Sequence, residues 1–132
     1  MDINICATCG RILMTRHIQW LLEMNVRDDD IEAVEQLVDE MVEATRANEP
    51  GALIYEYYLS EDRRRCSVVE RYADSAAVME HLKNFEEHFA ERFFALFEPS
   101  VFRVYGPANE DVRNALGSLG ATFDIGVGGF IR

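Results

Sequence analysis

Ile18-Gln19-Trp20-Leu21-Leu22-Glu23-Met24-Asn25-Val26 is the stretch on which the fold turns. Ile18, Trp20, Leu22, Met24 and Val26 take every second place, and a repeat of two is the period of a β-strand. Asp28-Asp29-Asp30 follows and offers helix caps, with Asp29 and Glu32 at capping-box spacing. Ile31, Val34, Leu37, Val38, Met41 and Val42 then recur at helical spacing, with Glu32, Glu35, Asp39 and Glu43 on the other side. The spacing predicts an amphipathic helix of about five turns that stops before Pro50-Gly51.

Outward from this β-α unit the pattern continues. Ala52–Leu59 and Cys66–Tyr72 read as two strands, joined by the polar stretch Ser60–Arg65 into a hairpin. Asp74 or Ser75 caps a second helix with an apolar face of Val78, Leu82, Phe85, Phe89, Phe93 and Phe97, and Pro99 is expected to stop it. Val101–Tyr105 forms a fourth strand. The order β-α-β-β-α-β is the ferredoxin-like arrangement: an α+β fold, an antiparallel sheet with both helices on one face. A C-terminal extension over 106–132 adds a short helix, 109–119, and an extended glycine-rich tail. Its glycines, 120, 126, 128 and 129, lack the strand-to-helix GxGxxG context of a phosphate loop.

The chain of 132 residues suits one domain, here 16–132 with its core at 18–105. A net charge of −11 excludes nucleic acid as a natural partner, because phosphate binding needs clustered Lys and Arg. Arg63-Arg64-Arg65 reads as a turn rather than a basic patch. No apolar run reaches the ~18 residues of a membrane helix, and Met1–Met14 lacks the basic start of a signal peptide. Three cysteines give no disulfide framework, so a reducing cytoplasm is the expected location. Residues 1–15 read as a leader, loosely attached or disordered. Its Cys6-Ala-Thr-Cys9-Gly10 is half of a zinc knuckle, and no second pair supplies the four ligands of a structural site, so no metal is expected.

Two helices cover one face of a four-stranded sheet, yet the strands do not alternate cleanly. Leu53, Tyr55, Tyr57 and Leu59 share one face of the second strand, while Ala52, Ile54 and Tyr58 share the other with Glu56. Incomplete alternation marks a sheet covered on both sides. A second copy of the chain is the expected cover, hence a homodimer.

Trp20-Leu-Leu-Glu-Met-Asn-Val26, Glu49-Pro-Gly-Ala-Leu-Ile-Tyr-Glu-Tyr-Tyr58, Val68-Val-Glu-Arg-Tyr-Ala-Asp-Ser75, His81 and His88-Phe89 together resemble the antibiotic biosynthesis monooxygenase (ABM) domain. The resemblance spans Ile18 to Tyr105. It implies a dimeric α+β barrel with a cleft between sheet and helices in each protomer. It also implies a cofactor-independent monooxygenase, with molecular oxygen as co-substrate and an electron-rich aromatic or quinol-type small molecule as substrate. A positioned base would deprotonate a phenol in a dry pocket and leave the phenolate to donate to oxygen. A non-catalytic dimer binding a small hydrophobic metabolite, and a haem-binding relative, are the alternatives.

The residues expected to carry catalysis are His81, His88 and Tyr72, and those expected to touch substrate are Asn25, Trp20 and Glu70. Histidine titrates near neutrality and suits a base. Tyr72 stands where the family pattern often has tryptophan. Asn25, at a strand end, could polarise an oxygen. Glu56 and Glu70 interrupt apolar strands, and their first reading is an ion pair with Arg71 or Arg103, their second a proton acceptor.

Overall fold

The structure, a computed structural model, describes residues 4–5, 12–13, 15–27 and 30–132. Its elements in chain order are β1 (Asn4–Ile5), β2 (Ile12–Leu13), β3 (Ile18–Val26), α1 (Ile31–Asn48), β4 (Ala52–Leu59), β5 (Arg65–Tyr72), α2 (Ser75–His88), α3 (Ala90–Leu96), β6 (Phe97–Tyr105), α4 (Glu110–Gly117) and β7 (Thr122–Asp124). In the leader β1 pairs antiparallel with β2. Cys6 and Cys9, the half-knuckle, lie outside the described residues, as does the Asp29 side of the capping box.

The main sheet runs β4-β5-β3-β6-β7. Its first four strands are antiparallel in ferredoxin-like order, as the sequence predicts. The tail adds a fifth strand, because β7 pairs parallel to β6. Parallel neighbours need a crossover, and α4 supplies it. The sheet is therefore mixed, not purely antiparallel.

The periodicity of β3 is reproduced in its burial: Ile18, Trp20, Leu22 and Met24 point into the core. Across from them stand Cys66, Val68 and Tyr72 of β5 and Val104 of β6. From the helices come Val34, Leu37 and Met41 of α1 and Val78 of α2. Asp30 caps α1 by accepting from the Ala33 N–H at 3.0 Å, and Asp74 caps α2 by accepting from the Ala77 N–H at 2.9 Å.

Three local expectations are corrected. A register shift between Ala52 and Ile54 turns Ala52 toward the core and leaves Leu53 exposed, so the inward face of β4 is Ala52, Tyr55, Tyr57 and Leu59. The second helix is not continuous. Phe89 leaves helical geometry at φ −129°, α3 restarts at Ala90, and Phe97 already belongs to β6. Pro99 therefore lies inside a strand, at the register shift beside Met24, where its missing N–H costs no regular ladder bond.

Gly106 closes β6 at φ +113°, and a Cβ there would stand 2.4 Å from the His17 carbonyl oxygen. Gly106→Ala is expected to destabilise the fold by roughly 2 kcal/mol or more, through backbone strain and a clash with main chain. Urea denaturation measures this, and an unchanged midpoint would contradict the assignment.

Candidate active site

α1 ends in Asn48, with Glu49 as its C-cap and Pro50-Gly51 turning into β4. A carboxylate at a helix C-terminus meets the negative end of the helix dipole, so Glu49 needs a cationic partner. It has one. The Glu49 carboxylate Oε1 lies 2.8 Å from Nδ1 of His81 on α2. On the far side of the ring, His81 Nε2 lies 3.2 Å from Glu70 Oε1 of β5. His81 is thus clamped between two carboxylates, and all three residues are buried.

Glu70 gathers further donors. The Trp20 indole N–H donates to Glu70 Oε2 at 2.5 Å, and the Tyr72 hydroxyl donates to Oε1 at 2.6 Å. Charge-assisted bonds of this length are the strong class of protein hydrogen bonds. The rings of Trp20 and Tyr72 pack 4.9 Å apart, and Tyr72 stands 5.0 Å from the His81 ring. Substituting Trp20 by Phe removes the only side chain bonded to Oε2 among the described residues, at an expected cost of about 1–3 kcal/mol. Equilibrium unfolding followed by circular dichroism checks this, and no loss of stability would contradict the bond.

The electrostatics follow from these contacts. Burial disfavours the charged His81 ring, but its hydrogen bonds to Glu49 and Glu70, with their charges, outweigh that and lift its pKa to about 9. His81 is an imidazolium at neutral pH. Burial first, then the Glu70 charge, pushes the Tyr72 hydroxyl well above its ordinary value. Tyr55 is raised by the same two causes, and its hydroxyl lies 2.8 Å from that of Tyr57. Both phenols are therefore neutral, and Tyr72 is a donor to Glu70.

Two hollows meet at His81. The inner one, about 80 Å³, is walled by Trp20, Leu22, Tyr55, Phe85, Phe93 and Phe102, and among the described residues Glu70 and His81 are its only ionisable side chains besides tyrosine. The outer one is a polar groove of about 370 Å³ between α1 and α2, lined by Glu49, Asn84, Glu80 and His88 among others. His81, Tyr55 and Phe85 form the shared partition. Another hollow, about 710 Å³, lies away from this cluster, against His17, Arg71 and the tail from Ile125 to Ile131.

Of the six residues predicted from sequence, the fold brings four together: Trp20, Glu70, Tyr72 and His81. His88 is exposed, 3.9 Å from Glu87, on the rim of the groove and outside the inner cavity. Asn25 is exposed at the end of β3 and donates to Glu98 at 3.3 Å. The first reading of Glu70, an ion pair with Arg71 or Arg103, is corrected. Alternation puts Arg71 on the opposite face of β5, and Glu70 bonds instead to Trp20, Tyr72 and His81. Glu56 is exposed and needs no buried partner. Sequence reasoning missed Glu49 as a site residue. Its signal was an acidic residue at a helix C-terminus, the wrong end for its charge.

The model of the antibiotic biosynthesis monooxygenase family matches residues 20–91, more than half of the chain. The chain belongs to that family. The matched span contains Trp20, Glu49, Glu70, Tyr72 and His81, so the whole cluster lies within the family domain. Among solved structures, this ABM chain is similar to MupZ from Pseudomonas fluorescens, with a TM-score of 0.78 and 24% identity over 89% of this chain and 96% of that one. It is similar to SnoaB, a cofactor-independent oxygenase from Streptomyces nogalater, with a TM-score of 0.59 and 16% identity over 72% and 96% of the two chains. Rv0793 from Mycobacterium tuberculosis aligns with a TM-score of 0.54 and 27% identity over 71% and 97%. No curated protein matches the sequence. Among the described residues, no helix is long and apolar enough to cross a membrane.

Proposed function

We propose that this ABM protein is a cofactor-independent monooxygenase of a small electron-rich phenol or quinol-type compound, with Glu70 as the proton acceptor. The observation that carries the reading is the pairing of the buried Glu70 carboxylate with the His81 ring in the wall of one aromatic cavity. Glu70 receives a proton from a CH₂ carbon conjugated with the oxygenated ring of the substrate, and His81 holds the resulting phenolate-type anion electrostatically. The anion passes one electron to oxygen, and the substrate radical and superoxide combine into a peroxide. The peroxide anion takes the proton back from Glu70. Loss of the remaining C–H proton and of hydroxide, which together make water, leaves a carbonyl. One oxygen atom stays on the substrate and the other departs as water, so a CH₂ and O₂ become C=O and H₂O. The membership of the family and the SnoaB likeness in fold support this reading.

A specific observation favours a second reading. His81 is held protonated and so is an acid rather than a base, which also suits proton-transfer catalysis without oxygen. Oxygen uptake by metal-stripped, flavin-free protein, measured against hydroquinones, anthrones and related phenols, separates the two. Uptake above autoxidation that falls in the Glu70→Gln variant supports the oxygenase. Conversion that persists without oxygen supports the second reading, and thermal stabilisation without any turnover leaves a binding protein.

We also propose that it works as a homodimer through the sheet face turned away from the helices. Leu21, Val69 and Val101 are only partly buried there, and the tail next to it exposes Val127, Phe130 and Ile131. Arg71 Nε and His17 Nδ1, on the same side, are buried with no hydrogen-bond partner among the described residues. Sedimentation at twice the 15.1 kDa chain mass is the expected result, and a monomer at micromolar concentration would overturn it.

A further inference from the structure

The inner cavity is smaller than the ligand proposed for it. A dry protein cavity of roughly 150 Å³ encloses one benzene ring, and this one offers about 80 Å³. A phenol therefore seats only the edge that meets Glu70 and His81, and the rest of the molecule lies at the mouth. That mouth is apolar. Its wall carries Phe94 of α3, Pro99 of β6 and Leu119 just past α4, all three exposed. Scattered apolar residues on a surface are ordinary, but these three share one wall with a buried aromatic cavity.

The lip is held in place. The Leu119 N–H donates to the Leu116 carbonyl at 3.0 Å, and the Ala121 N–H donates to the same carbonyl at 3.1 Å. Gly120 turns the chain between them at φ +91°. Phe94 packs its ring 5.2 Å from that of Phe93 and 6.1 Å from that of Phe85. We infer that Phe94, Pro99 and Leu119 form a second subsite, which takes an apolar substituent of the phenol and so decides which phenols bind well. The inference rests on the proposed use of the inner cavity as the phenol site and adds the chemistry of the part left outside. The family match ends at residue 91, so all three lip residues lie beyond the matched span. Among the described residues, the ionisable groups of the wall other than tyrosine are Glu70 and His81, and both are buried. A charged substituent at the lip finds no partner there. An alkyl chain does, and each CH₂ it lays on the lip is worth about threefold in affinity.

The test uses simple probes. Trp20 is the single tryptophan of the chain and lines the cavity, so its fluorescence reports entry of a ligand. Phenol and its para-ethyl, para-butyl and para-hexyl derivatives are titrated against the full chain, with excitation where indole absorbs and phenol does not. The wild type is expected to bind about threefold tighter for each added CH₂. Leu119→Asn and Phe94→Asn flatten that series, while phenol itself binds within about twofold of wild type. A merely structural role would weaken phenol along with its derivatives. Leu53→Asn, at an exposed leucine of β4 outside the cavity wall, keeps the wild-type gain. A wild-type series without the gain, or a gain unchanged in both lip variants, overturns the subsite and leaves the cavity reading standing. So does a gain lost equally in Leu53→Asn, which marks unspecific partitioning. A flat wild-type series joined to a change in sedimentation of Leu119→Asn makes the lip a contact between copies and likewise overturns the subsite. No response of Trp20 to phenol or to any derivative overturns the cavity as a phenol site, and the subsite with it.

Discussion

Substituting His81 by leucine is expected to destabilise the fold by about 3–5 kcal/mol at neutral pH, the usual cost of removing one partner from a buried ion pair. The residue is only 6% exposed, and loss of its ring leaves Glu49 and Glu70 buried without their shared cation. Leucine fills much of the volume, so the penalty is electrostatic more than steric. The difference from wild type should narrow in alkali, where the wild type loses its own advantage. With a folded pKa of about 9 against an ordinary 6.5, the stabilisation from His81 is complete below pH 6.5 and is lost as pH rises through 9. The slope of that loss is at most about 1.4 kcal/mol per pH unit. Urea unfolding of both proteins between pH 5 and 10, a range of about five units around that pKa, measures the pattern. A variant as stable as wild type at pH 7 would mean that the clamp does not exist.

Glu70→Gln is expected to lower oxygen uptake by about 10²–10⁴-fold, the range by which a positioned base accelerates proton transfer. The amide is nearly the same size, and its one oxygen can still accept from the Trp20 indole while its NH₂ faces the Tyr72 hydroxyl, which can turn to accept. What it cannot do is take a proton from the substrate or neutralise His81 as a charge. The loss should fall on turnover while the variant remains folded by circular dichroism, which separates it from the stability effect of His81→Leu. Uptake within about twofold of wild type would place the base elsewhere.

The fold was largely legible because its strands and helices announce their periods. Ile18, Trp20, Leu22, Met24 and Val26 take every second place, Ile31–Val42 repeats at helical spacing, and Pro50-Gly51 punctuates them. Where the reading slipped, long-range packing overrode the local pattern. The apolar stripe from Val78 to Phe97 looks like one helix, yet Phe97 pairs with Val26 on β3 and fills the core from a strand. Nothing near Phe89 marks the break. The register shift at Ala52 is likewise invisible before β4 meets β5, and it decides whether Leu53 or Ala52 turns inward.

The site was legible in its inner half. Trp20, Glu70 and Tyr72 sit on adjacent strands in register, Trp20 directly opposite Glu70. His81 carried a sign too, because it lies three residues after Val78 and four before Phe85, on the apolar stripe. Its role as a cation was not visible. That depends on Glu49, 32 residues earlier in the chain, meeting the ring across the gap between α1 and α2. His88 and Asn25 drew attention as residue types, but helix phase carries His88 out to the groove rim and the strand end leaves Asn25 exposed.

The central claim is that His81 is a buried cation held between Glu49 and Glu70 at the end of an aromatic cavity. A nitrogen-15 NMR titration of its ring tests this most directly. The prediction is a ring protonated on both nitrogens at pH 7, which titrates near pH 9 and moves downward in both Glu49→Gln and Glu70→Gln. A neutral ring at pH 7, with a midpoint at or below the ordinary 6.5 and no response to either substitution, would contradict it.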